Sequence, residues 1–344
     1  MTAPISPIDP IALTRRLVDI ESVTYNEGAV GVYLAGLLAE RGLVVERTAV
    51  PQPPHSRCSG ERFNVYGDYG VRPDVVLSTH MDTVPPFLPS REDDLYLYGR
   101  GACDAKGIIA AQLAAAERLH AAGVAVGVLF VVGEERDSAG ARVANLNPKG
   151  SRFLINGEPT DNRLALASKG ALRAEIKTRG TMAHSAYPEL GDSAVHKLVR
   201  ALDRLLDLQL PSVEGVGPST LNIGVVEGGR APNVIADAAG AQVLIRLVGP
   251  SAETRAAVER AVAGLAEVEF TLEIPFIRMR AVPGLETMVA AFTTDIPALS
   301  NWGEPLLLGP GSIHVAHTPF EKIAKQELLA AVDLYYAVAR RLVE

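Results

Sequence analysis

Apolar residues along the chain fall into two textures. Short runs rich in β-branched residues at 75–79, 126–132, 153–156 and 306–308 are separated by longer segments of helical period. That alternation predicts an α/β fold, a mostly parallel sheet sandwiched by helices, because strands covered on both faces read as unbroken apolar runs. Asp9 followed by Pro10, then Ile11, Leu13, Leu17, Val18 and Ile20, predicts a capped amphipathic helix. The Ala- and Leu-rich stretch 108–122, ended by Gly123, predicts a second helix packed on the sheet. From about 170 to 283 the pattern changes to alternating strands (171–178, 241–248) and amphipathic helices (193–208, 252–265). A buried strand and a terminal helix at 327–342 then return to the first texture. The expected organisation is therefore one domain formed by 1–169 and 284–344, with 170–283 inserted as a separate α+β unit.

Composition narrows the function without naming it. The 344 residues are 48% apolar and 21% charged, enough for a sizeable core and against wholesale disorder. Lys plus Arg number 33 against 40 acids, a formal charge of -7 with no basic block, so no nucleic-acid partner is expected. The longest apolar run, 121–133, falls short of the roughly 20 residues of a membrane span, and no membrane role is expected. Pro4, Pro7 and Pro10 replace any basic-then-apolar leader, giving a cytoplasmic expectation. Cys58 and Cys103 match no metal or redox spacing and are expected as free thiols.

Open α/β sheets bind ligands beyond the carboxyl ends of their strands, and the residues there share one chemistry. His80 and Asp82 follow the first buried run, Glu134 and Glu135 the second, Glu158 the third, and His317 lies beyond the last; Asp104 stands just before the long helix. Singly each has a plainer reading: a hydrogen-bonded imidazole, a solvated turn at 134–135, a loop charge at Glu158, a helix cap at Asp104. Gathered at one sheet edge, several carboxylates require a cation. Imidazole with carboxylate suits zinc first, with cobalt or manganese as alternatives, and a bridging carboxylate can hold two ions about 3.5 to 4 Å apart. A dinucleotide loop, a P-loop, His-Glu-x-x-His and Gly-x-Ser-x-Gly are not supported.

Five segments, at 78–85, 99–107, 133–135, 157–160 and 309–317, together resemble the co-catalytic zinc amidohydrolases that include acetylornithine deacetylase, succinyl-diaminopimelate desuccinylase, aminoacylase and glutamate carboxypeptidase. The resemblance implies that His80, Asp104 and Glu158 hold one metal ion and Asp104, Glu135 and His317 the other. It implies Glu134 as general acid and base and Asp82 as the carboxylate orienting His80. His314 does not align. The inserted unit resembles a lid and dimerisation domain, whose His184 implies a residue reaching the partner subunit's site in a homodimer. Asn233 and Arg246 resemble positions that hold substrate carboxylate or carbonyl, although an exposed strand arginine is the plainer reading of Arg246. Gly309 and Gly311 are further substrate-binding candidates. The activity implied is hydrolysis of an N-acyl amino acid, with a dipeptidase or carboxypeptidase, or a metal-binding relative without turnover, as alternatives. Ala105, where relatives more often carry Met, and Cys103 depart from the pattern.

Overall fold

The computed structural model describes residues 6–54, 56, 58 and 60–344, so Pro4 lies outside the described residues. The chain divides into two compact units, one of 1–166, 279–288 and 294–344, the other of 167–278 and 289–293.

The first unit is built on a six-stranded sheet in the order Val44–Ala49, Phe63–Asp68, Val126–Val131, Val75–His80, Phe153–Asn156, Glu304–Leu307. The last four strands are mutually parallel and the first two pair antiparallel. The apolar runs are strands because both sheet faces are covered. Val75, Leu77, Val128 and Ile155 face the helices Pro10–Val18, Lys106–Ala121 and Lys325–Val343, while Val76, Leu129 and Leu154 face Ala141, Leu299 and Trp302. Asp9 caps the first helix as its sequence implies, accepting from the amides of Ile11 (2.9 Å) and Ala12 (3.2 Å). Helix Lys106–Ala121 is buried around nearly its whole first three turns, and Gly123 at φ +78° follows its end. Parallel pairing brings the carboxyl ends of four strands to one edge of the sheet, where His80, Gly133–Glu135, Gly157–Glu158 and the 309–317 loop emerge.

The second unit is an antiparallel sheet in the order Thr220–Gly228, Ala238–Leu247, Gly170–Arg179, Glu267–Ile274. Along Gly170–Arg179 the buried Leu172, Ala174 and Ile176 alternate with outward residues such as Arg173 and Lys177. Helices Ala194–Leu206 and Ser251–Val262 supply Leu198, Ala201, Leu205, Val258 and Val262 to the same core. Among the described residues no helix is long and apolar enough to cross a membrane.

Candidate metal centre

His80 ends its strand with the ring buried, and its Nδ1 lies 2.9 Å from the Asp82 carbonyl oxygen. A carbonyl only accepts, so Nδ1 carries the proton there and Nε2 is left facing Asp104 Oδ1 at 3.0 Å. The other oxygen of Asp104, Oδ2, stands 3.3 Å from His317 Nε2, which is also 3.0 Å from Glu135 Oε2. Asp104 thus turns one oxygen to each histidine. Two groups of potential donors result, His80 with Asp104 and Glu158, and Asp104 with Glu135 and His317; within each, donor atoms lie within 4.8 Å of one another. Glu158 Oε1 is buried and finds no hydrogen-bond partner. His317 itself sits at φ +63°, an αL backbone that a histidine adopts at a cost of about 1–3 kcal/mol.

Asp82 organises the neighbouring turn. Its Oδ1 accepts from the amides of Gly133 (2.9 Å) and Glu134 (3.1 Å), its Oδ2 from the amide of Glu135 (3.3 Å) and the Thr24 hydroxyl (2.8 Å). Burial alone raises this carboxyl, yet its hydrogen bond to His80, the His80 charge and these donors hold it below the usual carboxylate range. A single residue therefore fixes the His80 ring through its carbonyl and, through its carboxylate, the backbone that presents Glu134 and Glu135.

Among the described residues the carboxyl groups of the site are faced by two histidines and by no Lys or Arg. Burial and then the Glu158 charge push Glu134 well above the usual range, and burial does the same to Glu158. Burial also opposes ionisation of Asp104, but hydrogen bonds from His317 and His80 hold it low, and His317 in turn is raised to about 10 by Asp104 and Glu135. The buried basic side chains nearby are committed elsewhere: Arg62 to Glu27 (3.0 Å), Arg100 to Glu321, and Lys106 to the Ile20 carbonyl (2.6 Å). Among the described residues no Lys or Arg pairs with Asp104, Glu134, Glu135 or Glu158. Imidazole and carboxylate donors in two groups sharing one carboxylate, with an orphaned glutamate oxygen, fit a pair of divalent ions.

A stability test follows from these shifts. Glu134, Glu158 and Asp295, the last raised to about 7 by burial, bind protons in the folded chain that the unfolded chain releases. Their contribution is full below the unfolded carboxylate range near 4.5 and is lost as pH rises through the folded values. The melting temperature of chelator-treated protein is therefore expected to fall from about pH 5 to about pH 8, and divalent ions to restore more at the higher pH. A melting temperature that rises across that window contradicts this electrostatic account.

The remaining candidates are placed as follows. Gly309 donates to the Thr160 hydroxyl (3.0 Å) and Gly311, at φ +86°, to Glu327 (2.7 Å), while their carbonyls accept from Thr160 and Asn162, and from Asp161. Their amides are thus already used to hold the loop. His314 is exposed and belongs to neither donor group. In the second unit His184 is exposed, its Nδ1 accepting from the Ala186 amide (3.1 Å), and the Ser185 amide donates to the Asn233 carbonyl (3.0 Å), so His184 and Asn233 lie on adjoining segments. Arg246 is half-buried in the strand Ala238–Leu247, opposite Thr220 and Ala171. Cys103 is a buried free thiol and Cys58 an exposed one.

Several residues at the site carried no signal in the sequence. Asp295 is 1% exposed, and its charge acts on both Glu134 and Glu158. A lone Asp before an apolar stretch reads as a helix cap, and it does precede the 3-10 turn Ile296–Leu299. Thr24, which steadies Asp82, is likewise an isolated residue 58 positions away.

The chain matches the model of "Peptidase family M20/M25/M40" over residues 76–341. It is 38% identical over 340 residues to a peptidase M20 domain-containing protein of Schizosaccharomyces pombe, covering 94% of this chain and 82% of that one. A probable carboxypeptidase of Paracoccidioides brasiliensis is 36% identical over 368 residues, with 94% and 83% covered. Among solved structures, the aminopeptidase PepT of Bacillus cereus superposes with a TM-score of 0.80 at 20% identity, covering 98% of this chain and 100% of that one, which establishes the likeness of fold.

Proposed function

The chain belongs to peptidase family M20/M25/M40 and is a metal-dependent hydrolase, and from that premise we propose that it cleaves the amide bond of an N-acyl amino acid. The observation that carries the proposal is the pair of donor groups sharing Asp104 beside a half-buried Glu134 that belongs to neither. In this reading His80, Asp104 and Glu158 hold one ion, and Asp104, Glu135 and His317 the other, zinc being favoured by the imidazole and carboxylate donors. When bound, such ions polarise a substrate carbonyl and lower the pKa of water.

The protein's own contribution is to orient and to move protons. Glu134, held above the usual carboxylate range and anchored through its amide to Asp82, takes the proton of the attacking water and returns it to the leaving amine. Asp82 fixes a proton on His80 Nδ1, so that Nε2, which faces Asp104 Oδ1 at 3.0 Å, is the nitrogen that would hold an ion. In the second unit Arg246, half-buried and without an acidic partner among the described residues, is proposed to hold the substrate carboxylate, a guanidinium fork matching that group. Asn233 is proposed to contact the scissile carbonyl, and His184 to act across a homodimer as a donor to the developing oxyanion.

A carboxypeptidase or dipeptidase is the second reading, favoured by the name that the Paracoccidioides relative bears. The two readings share a leaving amine that carries an α-carboxylate and differ in the acyl side. The zinc-loaded protein is to be assayed against N-acetyl and N-succinyl amino acids, dipeptides, and the same compounds with the carboxylate amidated. The proposal expects turnover of acyl amino acids and loss of turnover on amidation. Turnover of dipeptides alone selects the second reading, and binding of two ions without hydrolysis of any amide rejects both in favour of a relative without turnover.

A further inference from the structure

Behind the donor groups lies a second buried charge pair, Arg100 and Glu321, 2% and 1% exposed. One oxygen of Glu321, Oε1, accepts three backbone amides in succession, from Gly101 (2.9 Å), Cys103 (3.2 Å) and Asp104 (3.1 Å). Its own carbonyl accepts from Gly99 (3.1 Å). The other carboxylate oxygen takes the Arg100 guanidinium, which also reaches the carbonyl of Thr318 at 3.3 Å, one residue beyond His317.

A stabilising role for the pair is a weak explanation, since a buried ion pair is often matched by apolar side chains of similar volume. What apolar side chains cannot supply is an acceptor for three buried amides, which would then be left unsatisfied. Those amides belong to the turn that presents Asp104, and the amide of Asp104 itself is one of them. Wrapping the turn around one oxygen fixes the direction in which the Asp104 side chain leaves the backbone, and the Arg100 contact ties that turn to the His317 loop.

We propose that Glu321 is a positioning residue for the metal centre: its Oε1, gathering the amides of Gly101, Cys103 and Asp104, sets Asp104 between the two donor groups, so that binding of both ions depends on it. The inference rests on the reading of Asp104 as the shared ligand. Outer partners of this kind usually change metal affinity by about 10–100-fold.

Two double variants separate positioning from simple burial of charge. Arg100→Met with Glu321→Gln keeps an acceptor and removes the charges; Arg100→Met with Glu321→Leu removes both. Each is loaded with zinc, dialysed against a graded series of chelator concentrations, and analysed for zinc per chain, with the folded state followed by circular dichroism. The Gln variant is expected to hold both ions within a few-fold of the parent affinity, and the Leu variant to lose both together by about 10–100-fold. A Leu variant that keeps both ions at parental affinity overturns the proposal. Should that variant not fold, Glu321→Asp serves, because it keeps the charge while drawing the oxygen back from the amides: joint loss of both ions supports the role, and parental affinity overturns it. Asp104→Asn run alongside distinguishes the failures. If Asp104→Asn loses at least one ion while the Glu321 variants keep both, only the positioning role is wrong; if Asp104→Asn keeps both, the shared-ligand reading is wrong.

Discussion

Glu134→Gln lowers the rate of amide hydrolysis by about 10² to 10⁴ while leaving the metal content of the protein unchanged. The separation of these two effects comes from geometry. Glu134 is adjacent to Glu135, yet only Glu135 joins a donor group, with His317 at 3.0 Å and Asp104 as its companions. Glu134 is half-buried, and its removal from water with the nearby Glu158 charge raises its carboxyl well above the usual carboxylate range, which favours return of the proton to the leaving amine. The substitution is isosteric and leaves the amide that anchors the turn to Asp82 intact. Steady-state kinetics paired with elemental analysis checks the prediction. Parental turnover would remove Glu134 from the chemistry, and loss of an ion would make it a ligand.

The second large effect is expected of Asp104→Asn, which reduces bound metal from two ions to at most one per chain and abolishes measurable turnover. An ionised carboxylate offers a lone pair from each oxygen, and here one oxygen faces His80 at 3.0 Å and the other His317 at 3.3 Å. An asparagine keeps one acceptor and places a donor NH₂ where the second acceptor stood. Because the position is 5% exposed, no solvent rearrangement repairs the loss. Affinity for at least one ion should fall by more than about 100-fold, beyond the range typical of outer partners. Glu158→Gln and His317→Ala, each confined to one donor group, should by contrast remove a single ion. Full retention of two ions in Asp104→Asn would refute the shared-carboxylate arrangement.

The central strands were legible because burial on both faces leaves no room for polar alternation. Val75, Val76 and Leu77 are each fully buried, so the run is continuous, and the parallel pairing that follows places the next polar residues at a common edge. The helix Lys106–Ala121 was equally plain, its Ala- and Leu-rich interior closing at Gly123. The antiparallel edge carries no such signal. Val44–Ala49 exposes most of its residues, and Phe63–Asp68 carries Asn64 and Gly67 among its apolar ones, so neither shows a clean period. Helix Gly28–Glu40 is equally hard to see in the sequence, its Val30, Leu34 and Leu38 facing the core while Val32 remains on the outside and blurs the amphipathic pattern.

At the site, the donor residues could be found because each directly follows a strand or opens a helix, positions with a chemical meaning of their own. Their supports could not. Glu321 contacts a turn 217 or more residues away in sequence, and Asp295 and Thr24 are single polar residues in unremarkable company. What selects such residues is the burial of unpaired amides and carboxylates, which exists only once the chain has folded. The buried Arg62–Glu27 pair behind the 133–135 turn illustrates the point, for an added Cβ at Gly133 would meet the Arg62 guanidinium at 2.5 Å.

The most direct test is a crystal structure of the zinc-loaded protein with the ions located by anomalous scattering. Two peaks about 3.5 to 4 Å apart on either side of Asp104 are expected, one among His80, Asp104 and Glu158, the other among Asp104, Glu135 and His317, with Glu134 bound to neither. A single peak that does not touch Asp104, or ions held by Glu134 in place of Glu135 and Glu158, would contradict the account.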